Sequence, residues 1–377
     1  MHTLPDEFYS LGSNSGGHLS DMWVVVPSNR PATIPEFISR WSVEDLPGPN
    51  FLILYDTDDE VGSHGQRFRN VTEVSLQSLD LGDRSWIIPR RTDCIRSFGF
   101  LLAARYGAKY ILSLDDDCFP SAGRPCDFFV DHMRILESGI VPIFSTTGHR
   151  GYEMRPRGLP RDCSNIVPKR VLINHGLWDG SLDLAADDET RIVESLIRRD
   201  APMTWLPKRF HVVPQGFLYP MCGMNISFSV DILPAMYFTL QGRMLVDGMD
   251  HKLPYDRWGD VWCGLFSKVV ADEIGGCVTS GVPSVFHSRV SLTSRNVEKE
   301  AAGHSLHRKL VDHILYGGII HPRGPICMEN TAGMYEDIAN SLKKVPDTTP
   351  DERAYLRLLS EAMKQWTELC LTFAQGS

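Results

Sequence analysis

Short apolar runs alternate with a stretch of helical periodicity over the first third of the chain. The runs Met22–Pro27, Phe51–Asp56 and Tyr110–Leu114 predict buried strands. Apolar residues from Thr92 to Tyr106 recur at the spacing of one helix face. Ile140–Ser145 predicts a fourth strand, and its proline places it at an edge. This alternation favours a mostly parallel α/β sheet, whose ligands bind beyond the carboxyl ends of the strands.

The pattern then changes from loop to mixed elements and finally to helix. Gly148–Lys169 is rich in Arg, Pro and Gly, which predicts a long loop that is either functional or disordered. The elements predicted after this loop are a helix, a strand and a helix: Asp187–Arg199, Met224–Ser229 and Asp260–Ile274. Thr349–Glu352 is a capping box with proline at the first helical position. Apolar residues then recur at helical spacing: Leu356, Leu359, Met363 and Trp366.

Composition agrees with a globular chain in three sections: a flexible lead-in (1–20), an α/β domain (21–290) and a helical section packed on it (291–377). Of the 377 residues 42% are hydrophobic, and no apolar run is long enough to span a membrane. A net charge of -9 disfavours nucleic acid as a partner, although a small phosphate ligand is not excluded. Nine cysteines without a C-x-x-C pair predict reduced thiols in the cytoplasm, and the first 20 residues do not resemble a signal peptide.

The strongest local signal for chemistry is the acidic triplet Asp115–Asp117, directly after a predicted strand. Three adjacent carboxylates repel one another unless a cation lies among them, and hard oxygen ligands suit Mg²⁺ or Mn²⁺. We expect Asp115 and Asp117 to bind such an ion, with His287 as a third ligand. The alternatives are a solvated acidic turn and a structural histidine.

Other polar residues have a functional and a structural interpretation. Asp56, at a strand end, is a candidate contact for a base or ribose, or an Asx-turn residue. Arg96 could reach a phosphate or lie solvated on its helix. Asp260 is a candidate acid–base group or simply a charge favoured by a helix N-terminus. Basic residues concentrate in the long loop and favour an anion site there: Arg150, Arg155, Arg157, Arg161, Lys169 and Arg170.

Several longer strings together resemble one family, the reversibly glycosylated polypeptides, which include the flavin-independent UDP-arabinopyranose mutases of plants. The matching strings are YILSLDDDCF (110–119), HGLW (175–178), YPMCGMNISF (219–228), PAMYF (234–238), DVWCG (260–264) and GVPSVFHS (281–288). The resemblance implies a GT-A glycosyltransferase-like, Rossmann-like mixed sheet and a nucleoside-diphosphate sugar as substrate. A bacterial branch that acts on GDP-fucose is similar as well, and we expect it to be the nearer relative.

The resemblance also implies roles for individual residues. The family's glycosylated arginine matches Arg157, in Arg157-Gly158-Leu159-Pro160, whereas its second arginine falls on Ser164, with Arg161 nearby. A weaker alignment starts at Arg150 and makes Arg157 the second arginine. The catalytic candidates are Arg157, Asp260 and Asp116. The substrate-binding candidates are Asp56, Arg96, Asp115, Arg161, His175, Trp178, Cys222, Gly223 and Asn225.

The sequence therefore predicts a nucleotide-sugar mutase that uses Mn²⁺ or Mg²⁺ and no flavin to interconvert pyranose and furanose forms. The runner-up is a metal-dependent glycosyltransferase that passes the sugar to an external acceptor. A third hypothesis is a non-catalytic assembly partner, against which the intact acidic triplet argues. Whether the chain forms a homo-oligomer is left open by the sequence.

Overall fold

A computed structural model describes residues 18–57, 69–76, 81–121, 124–140, 168–181, 210–246, 249–288 and 293–374. The strands described, β1 to β12 in chain order, are Met22–Ser28, Asn50–Tyr55, Val71–Ser75, Tyr110–Leu114, Cys118–Pro120, Gly139–Ile140, Lys169–Gly180, His211–Val213, Asn225–Ser229, Arg243–Val246, Met249–Lys252 and Cys277–His287. The α-helices described, α1 to α8, are Ile34–Arg40, Ile95–Arg105, Pro125–Glu137, Gly259–Glu273, Thr293–Ala301, His304–Tyr316, Met328–Ser341 and Pro350–Ala374.

One large mixed sheet organises these elements. Its main strand order is β3-β2-β1-β4-β9-β7-β12-β5, and β10 and β11 form a separate hairpin. The pairs β3-β2, β2-β1 and β1-β4 are parallel. β9 runs antiparallel to both β4 and β7. The expected GT-A-like fold is thus observed as a Rossmann-like parallel half joined to a mixed half.

The order in which the chain adds strands to the sheet reverses at β1. It moves outward from β1 to β2 and β3, and then returns to add β4 on the other side of β1. A crevice forms at such a switch point beyond the carboxyl ends of the strands, and ligands of open α/β sheets bind there. The residues that follow β1 and β4 therefore occupy the position where a ligand site is expected.

Helices cover both faces of the sheet because successive side chains of each strand point to opposite sides. Met22, Val24 and Val26 pack into a core beneath α1 and α3, whereas Val25 packs into the other, larger core. That larger core also holds α2, α4 and residues of the C-terminal helices, so it continues from the sheet into the helical section. In the described part of the chain, no helix is long and apolar enough to cross a membrane.

The capping box predicted for the last helix forms as expected. Glu352 N donates to Thr349 Oγ1 at 3.2 Å, and Thr349 N donates to Glu352 Oε2 at 2.7 Å. The helix begins at Pro350, and its predicted apolar residues are all buried: Leu356, Leu359, Met363 and Trp366. Trp366 stacks on Tyr237 at 5.4 Å between ring centroids.

The other predicted elements agree with the structure to within about three residues at their ends, apart from those outside the described residues. Of the predicted Ile140–Ser145 strand only the first residue is described, as part of the short β6. The predicted helix Asp187–Arg199, residues 1–17 of the lead-in and residues 148–167 of the long loop lie outside the described residues. Strand β3 and the twelve-residue β7 were not predicted, since neither is a run of apolar residues alone.

Replacing Trp366 should destabilise the whole fold. Its indole is fully buried, and its Nε1 donates to the carbonyl of Pro234 at 3.0 Å. We expect Trp366→Ala to lower the free energy of unfolding by about 3–5 kcal/mol in urea denaturation. The exposed Arg357 on the same helix provides the control, since Arg357→Ala should change it by less than about 0.5 kcal/mol. Equal unfolding curves for Trp366→Ala and wild type would contradict the packing described.

Candidate functional site

A cleft of about 550 Å³ lies at the switch point of the sheet. Its walls come from the loops after β1, β2 and β4, from the start of α2, and from the N-terminal end of α4. In the described part of the chain it is lined by seven aspartates, four arginines and one lysine, together with His287. The cleft therefore combines many charged groups of both signs, with the negative ones in excess.

The first carboxylate of the acidic triplet, Asp115, is held from α2. Arg96 Nη2 donates to Asp115 Oδ1, and Arg96 Nη1 donates to Ser113 Oγ at 2.9 Å. Burial lowers the pKa of the Arg96 guanidinium, but the charge and hydrogen bond of Asp115 together with the charge of Asp93 raise that pKa above its ordinary value. Arg96 and Asp115, each named separately as a substrate-binding candidate from the sequence, thus form a partly buried ion pair that lines the cleft.

The middle carboxylate, Asp116, is bonded on both oxygens. Ser28 Oγ and Thr33 Oγ1 donate to Oδ2 at 2.6 and 2.9 Å, and Arg30 donates to Oδ1. Asp116 is only 3% exposed. These bonds join the loop after β4 to the loop after β1. They favour a role for Asp116 in holding the two loops together over the catalytic role expected from the sequence.

The third carboxylate, Asp117, faces both a guanidinium and an imidazole. Arg30 Nη2 lies 3.1 Å from Asp117 Oδ2, and His287 Nε2 lies 3.8 Å from Oδ1. His287 Nδ1 lies 3.2 Å from the carbonyl of Ser181; since a carbonyl can only accept, Nδ1 is the donor in this bond, and Nε2 faces Asp117. Burial and the charge of Asp115 raise the pKa of Asp117.

The three predicted metal ligands are not assembled as a coordination group in this geometry. Within the described ranges, no group of three or more His, Cys, Asp or Glu side chains is placed to hold a metal ion. Asp115 and Asp117 are instead paired with arginines. Mg²⁺ commonly uses only one or two protein carboxylates and completes its shell with water and substrate phosphates.

Asp56 lines the cleft beyond β2 and is tightly bonded. Arg90 Nε donates to Oδ1 at 2.9 Å, and the backbone N–H of Arg91 donates to Oδ2. The backbone of Arg91 has a φ of 61°, in the left-handed region that few residues other than glycine adopt. Asp56 therefore fixes the sharp turn that presents the Arg91 segment to the cleft.

Asp260 also lines the cleft and lies in the first turn of α4. Its Oδ1 accepts from the backbone N–H of Val261 at 2.8 Å, and its Oδ2 accepts from that of Gly223 at 3.3 Å. A carboxylate is favoured at this end of a helix because the helix dipole is positive there. The structure thus places the predicted residues Asp260, Gly223 and Cys222 together on the cleft wall.

A further carboxylate, Asp93, lies in the same wall and was not singled out from the sequence. It precedes α2 and is partly buried, and its Oδ1, which is shielded from solvent, has no hydrogen-bond partner among the described residues. Burial raises the pKa of Asp93 to about 6, against the opposing charges of Arg96 and Arg257. A carboxylate of this kind is a candidate functional group.

The helical section also contributes to the cleft. Lys299 in α5 lines it and lies 2.9 Å from Asp256 Oδ2, and Arg257 Nε donates to Glu300 Oε1 at 2.8 Å. Asp256 and Arg257 line the cleft as well. Nothing in the sequence connects Lys299 with residues more than 40 positions earlier, so only the folded structure identifies it as a cleft residue.

His175 and Trp178, both predicted to bind substrate, are not among the described residues that line the cleft. His175 is 4% exposed, and its Nε2 accepts from the backbone N–H of Cys222 at 3.3 Å. Its ring lies 6.0 Å from that of Trp178 and 5.7 Å from that of Tyr219. His175 therefore supports the cleft-lining backbone at Cys222 from behind.

Asn225 has the same supporting position and is also absent from the described lining of the cleft. Its Nδ2 donates to the carbonyls of Leu177 and Pro283 at 2.9 and 3.0 Å. A Cβ on Gly176 would collide with Asn225 and with the Pro283 carbonyl, so the strands approach here only because residue 176 is glycine. Asn225 thus fastens β9 to β7 and to β12.

Two of the predicted site residues, Arg157 and Arg161, lie outside the described residues. Arg30 and Asp93 are cleft residues that the site prediction missed. A positional signal could have found Arg30, because it follows β1 as the acidic triplet follows β4. Asp93 gave no comparable signal, since an aspartate just before a helix is common at helix N-termini.

The sheet order and the charged cleft at its switch point define an α/β protein of the GT-A-like class. Comparison with protein families then shows a match to the reversibly glycosylated polypeptide family over residues 67–374. The chain belongs to that family. The match covers most of the chain, including the C-terminal helices and all cleft residues except those that follow β1 and β2.

Relatives in this family are plant proteins with mutase names. The chain is 29% identical over 367 residues to probable UDP-arabinopyranose mutase 4 of Arabidopsis thaliana, which spans 92% of this chain and 90% of that protein. It is 33% identical over 294 residues to UDP-arabinopyranose mutase 2 of the same plant, which spans 74% of each. The expected family is confirmed, and neither relative bears on the expected GDP-fucose branch.

Solved structures provide a more distant comparison. The structure resembles a mannosyltransferase of Pyrobaculum calidifontis in complex with GDP-Man and Mn²⁺, with a TM-score of 0.36 and 12% identity. The match covers 94% of this chain and 87% of that chain. A likeness this weak supports no statement about ligands.

Replacing Asp93 should change how stability depends on pH. Its pKa is about 6 in the folded chain and ordinarily 3.8, so its contribution to stability is greatest below the lower value and is lost as pH rises through the higher one. Asp93→Asn lacks this titration. We therefore expect thermal unfolding to show wild type losing stability relative to Asp93→Asn between pH 4 and 6. Melting curves that keep a constant separation over this range would contradict the burial described.

Proposed function

We propose that this chain is a metal-dependent, flavin-independent mutase that interconverts the pyranose and furanose forms of a nucleoside-diphosphate sugar. The observation that carries the proposal is a charged cleft of about 550 Å³, with Asp115 and Asp117 at its floor, in a chain of this family. Near end-to-end similarity to a protein named as a probable UDP-arabinopyranose mutase supports the reaction type.

The donor chemistry of the acidic triplet fits a divalent cation. Asp117 is a carboxylate whose pKa is raised by burial and by the negative charge of Asp115, and a bound cation would relieve both effects. His287 presents Nε2 to this position, with Nδ1 fixed by a carbonyl as in many metal-binding histidines. Because the structure pairs Asp115 and Asp117 with arginines, we propose that these two carboxylates and His287 would hold the ion when substrate phosphate oxygens complete its shell.

The excess of carboxylates in the cleft would have to be offset for a diphosphate to bind, and a divalent cation can offset it. Seven aspartates against five basic side chains would repel a diphosphate, and Arg30 and Arg96 are already paired with the acidic triplet. A bound Mn²⁺ or Mg²⁺ would neutralise the diphosphate and the charge that develops on it as the anomeric C–O bond breaks. Within the chain, Arg30 and Arg96 keep the three carboxylates in place for that role.

The freed sugar has to be held while its ring opens and closes through a different hydroxyl. The family resemblance assigns this to Arg157, through a transient bond between the guanidinium and the anomeric carbon. A guanidinium is a poor nucleophile because its pKa is above about 12, so a carboxylate must accept its proton. Asp260, whose carboxylate is held in the cleft by the backbone N–H groups of Val261 and Gly223, is our candidate base.

The base and the sugar are proposed only as a class. UDP-arabinose is favoured by the names of the relatives, whereas the sequence resemblance leads us to expect the GDP-fucose branch. Asp56 lies where the loop after β2 meets the cleft and organises the wall that we assign to the nucleoside. We propose Arg161 as the second functional arginine, in addition to Arg157. Location in the cytoplasm stays a prediction.

Proton NMR of the nucleotide sugar tests the reaction directly. We expect UDP-arabinopyranose or GDP-fucose, incubated with the protein and Mn²⁺ without any acceptor, to give its furanose isomer. The isomer should not form when EDTA removes the metal. A donor that stays unchanged alone but is consumed when acceptor sugars are added would contradict the mutase and favour the glycosyltransferase.

Asp117→Ala serves as the matched variant for this experiment. It should bind UDP or GDP with the same affinity in Mn²⁺ and in EDTA, because the gain from the metal is lost. Asp312 is exposed on α6, and Asp312→Ala should retain the metal-dependent gain of wild type. Wild-type affinity that does not change in EDTA would refute the metal site.

Arg157→Lys distinguishes a covalent role from a clamp on phosphate. If Arg157 carries the sugar, the lysine variant should lose nearly all turnover but still bind the nucleotide sugar, because the positive charge remains. If Arg157 only contacts phosphate, lysine should weaken binding yet leave measurable turnover. We expect the first result, together with an added sugar mass on the intact wild-type protein.

Mass spectrometry and kinetics of neighbouring variants complete the test. The added mass should disappear in Arg157→Ala and persist in Arg155→Lys, two positions away in the same basic stretch. Full isomerase activity in Arg157→Ala would rule out both roles.

A further inference from the structure

Two buried polar atoms in the cleft wall have no hydrogen-bond partner among the described residues. They are Oδ1 of Asp93, an acceptor, and Nε of Arg96, a donor. Both residues line the cleft, and they stand three positions apart where helix α2 begins. A buried polar group left without a partner costs free energy, and structures keep few of them unless a ligand or water completes them.

The surroundings of Asp93 provide charge but no direct bond to Oδ1. Arg96 and Arg257 oppose the cost of burying its charge, and Asp256 and Asp115 add to that cost. A Cβ built on Gly259 would lie 2.8 Å from Oδ1, so the start of α4 comes close to this atom only because residue 259 is glycine.

Arg96 Nε has a similar environment. The other two nitrogens of the guanidinium are bonded to Asp115 and Ser113, which fixes the plane of the group and leaves Nε as its one nitrogen without a partner among the described residues. A Cβ on Gly223 would lie 3.3 Å from Nε, so a glycine again allows the backbone to approach. Gly223 N also donates to Asp260 Oδ2, which places the candidate base beside the same space.

We propose that Asp93 Oδ1 and Arg96 Nε form the subsite that binds the hydroxyl groups of the sugar. One hydroxyl donates to Asp93, and an oxygen of the sugar accepts from Arg96. The inference rests on the proposed function, since it names the groups that would recognise the sugar part of a nucleoside-diphosphate sugar. A polyhydroxylated ring supplies the donor and the acceptor that these two atoms need, whereas a nucleoside diphosphate alone leaves both unpaired.

Such a subsite would make the protein selective by weakening the binding of sugars that lack the hydroxyl. A site built to hydrogen-bond a hydroxyl strongly rejects an analogue that lacks it, because the buried group then stays unpaired. Asp93 is in this account a specificity-determining residue that touches substrate. Its pKa of about 6 leaves it mainly ionised at neutral pH, as an acceptor requires.

Titration calorimetry in the presence of Mn²⁺ separates the sugar from the nucleotide. The probes are UDP against UDP-arabinopyranose and GDP against GDP-fucose. We expect Asp93→Asn to keep the affinity of wild type for the diphosphate within about twofold and to lose about 10-fold or more for the matching nucleotide sugar. Asp312→Asn, a matched exposed change, should leave both affinities unchanged.

Deoxy analogues test the same subsite without any variant. Among UDP-sugars that each lack one hydroxyl, at least one should bind wild type about 10-fold more weakly than the parent. Asp93→Asn should discriminate less between that analogue and the parent, because a neutral amide oxygen accepts a weaker hydrogen bond than a carboxylate. If Asp93→Asn fails to fold, the series on wild type still decides, since equal affinity for every deoxy analogue would overturn the subsite.

The remaining outcomes distinguish failure of the subsite from failure of the proposed function. Unchanged nucleotide-sugar affinity in a folded Asp93→Asn, or an equal loss for the diphosphate and the nucleotide sugar, would overturn the subsite and leave the proposed function standing. Absence of diphosphate binding to wild type would refute the proposed function and the subsite together. A lower melting temperature for Asp93→Asn at neutral pH would show that the carboxylate is structural, which also overturns the inference.

Discussion

Placing three carboxylates side by side at one edge of a sheet is the electrostatic constraint around which this molecule is arranged. Asp115, Asp116 and Asp117 follow a buried strand and are at most partly exposed, so water screens them less than it would on an open loop. Arg96 of α2 stabilises Asp115, and Arg30 of the loop after β1 stabilises both Asp116 and Asp117. The elements that carry these groups are therefore fixed relative to one another by charge as well as by apolar packing.

Much of the fold was accessible from local sequence patterns, and much of the site was not. Apolar runs identified β1, β2 and β4 because buried parallel strands are continuously hydrophobic, and the capping box located the start of α8 to the residue. The acidic triplet was identified correctly as a cleft feature by its place after a strand. The position of Lys299 in the cleft could not be predicted from the sequence, because it depends on how the helical section packs on the α/β domain.

Polar residues were harder to interpret than apolar ones because their partners are distant in sequence. Ser28 bonds to a carboxylate 88 positions away, and His132 to an amide 93 positions away. Burial lowers the pKa of His132 to about 3, so this histidine stays neutral and serves as a connector among β7, β9 and α3. A residue type that is chemically versatile can thus be entirely structural, and only tertiary contacts distinguish the two cases.

The supporting position of His175, Gly176 and Asn225 bears on how substrates can change within such a fold. These residues belong to the strings by which the family is most easily identified, yet their contacts join strands behind the cleft wall. A motif of this kind reflects how the strands that support the cleft wall, here called the frame, pack together. It says little about which substrate binds in the cleft. Two proteins could share the motif in full and still act on different sugars, since the exchange of a few wall residues would leave the frame intact.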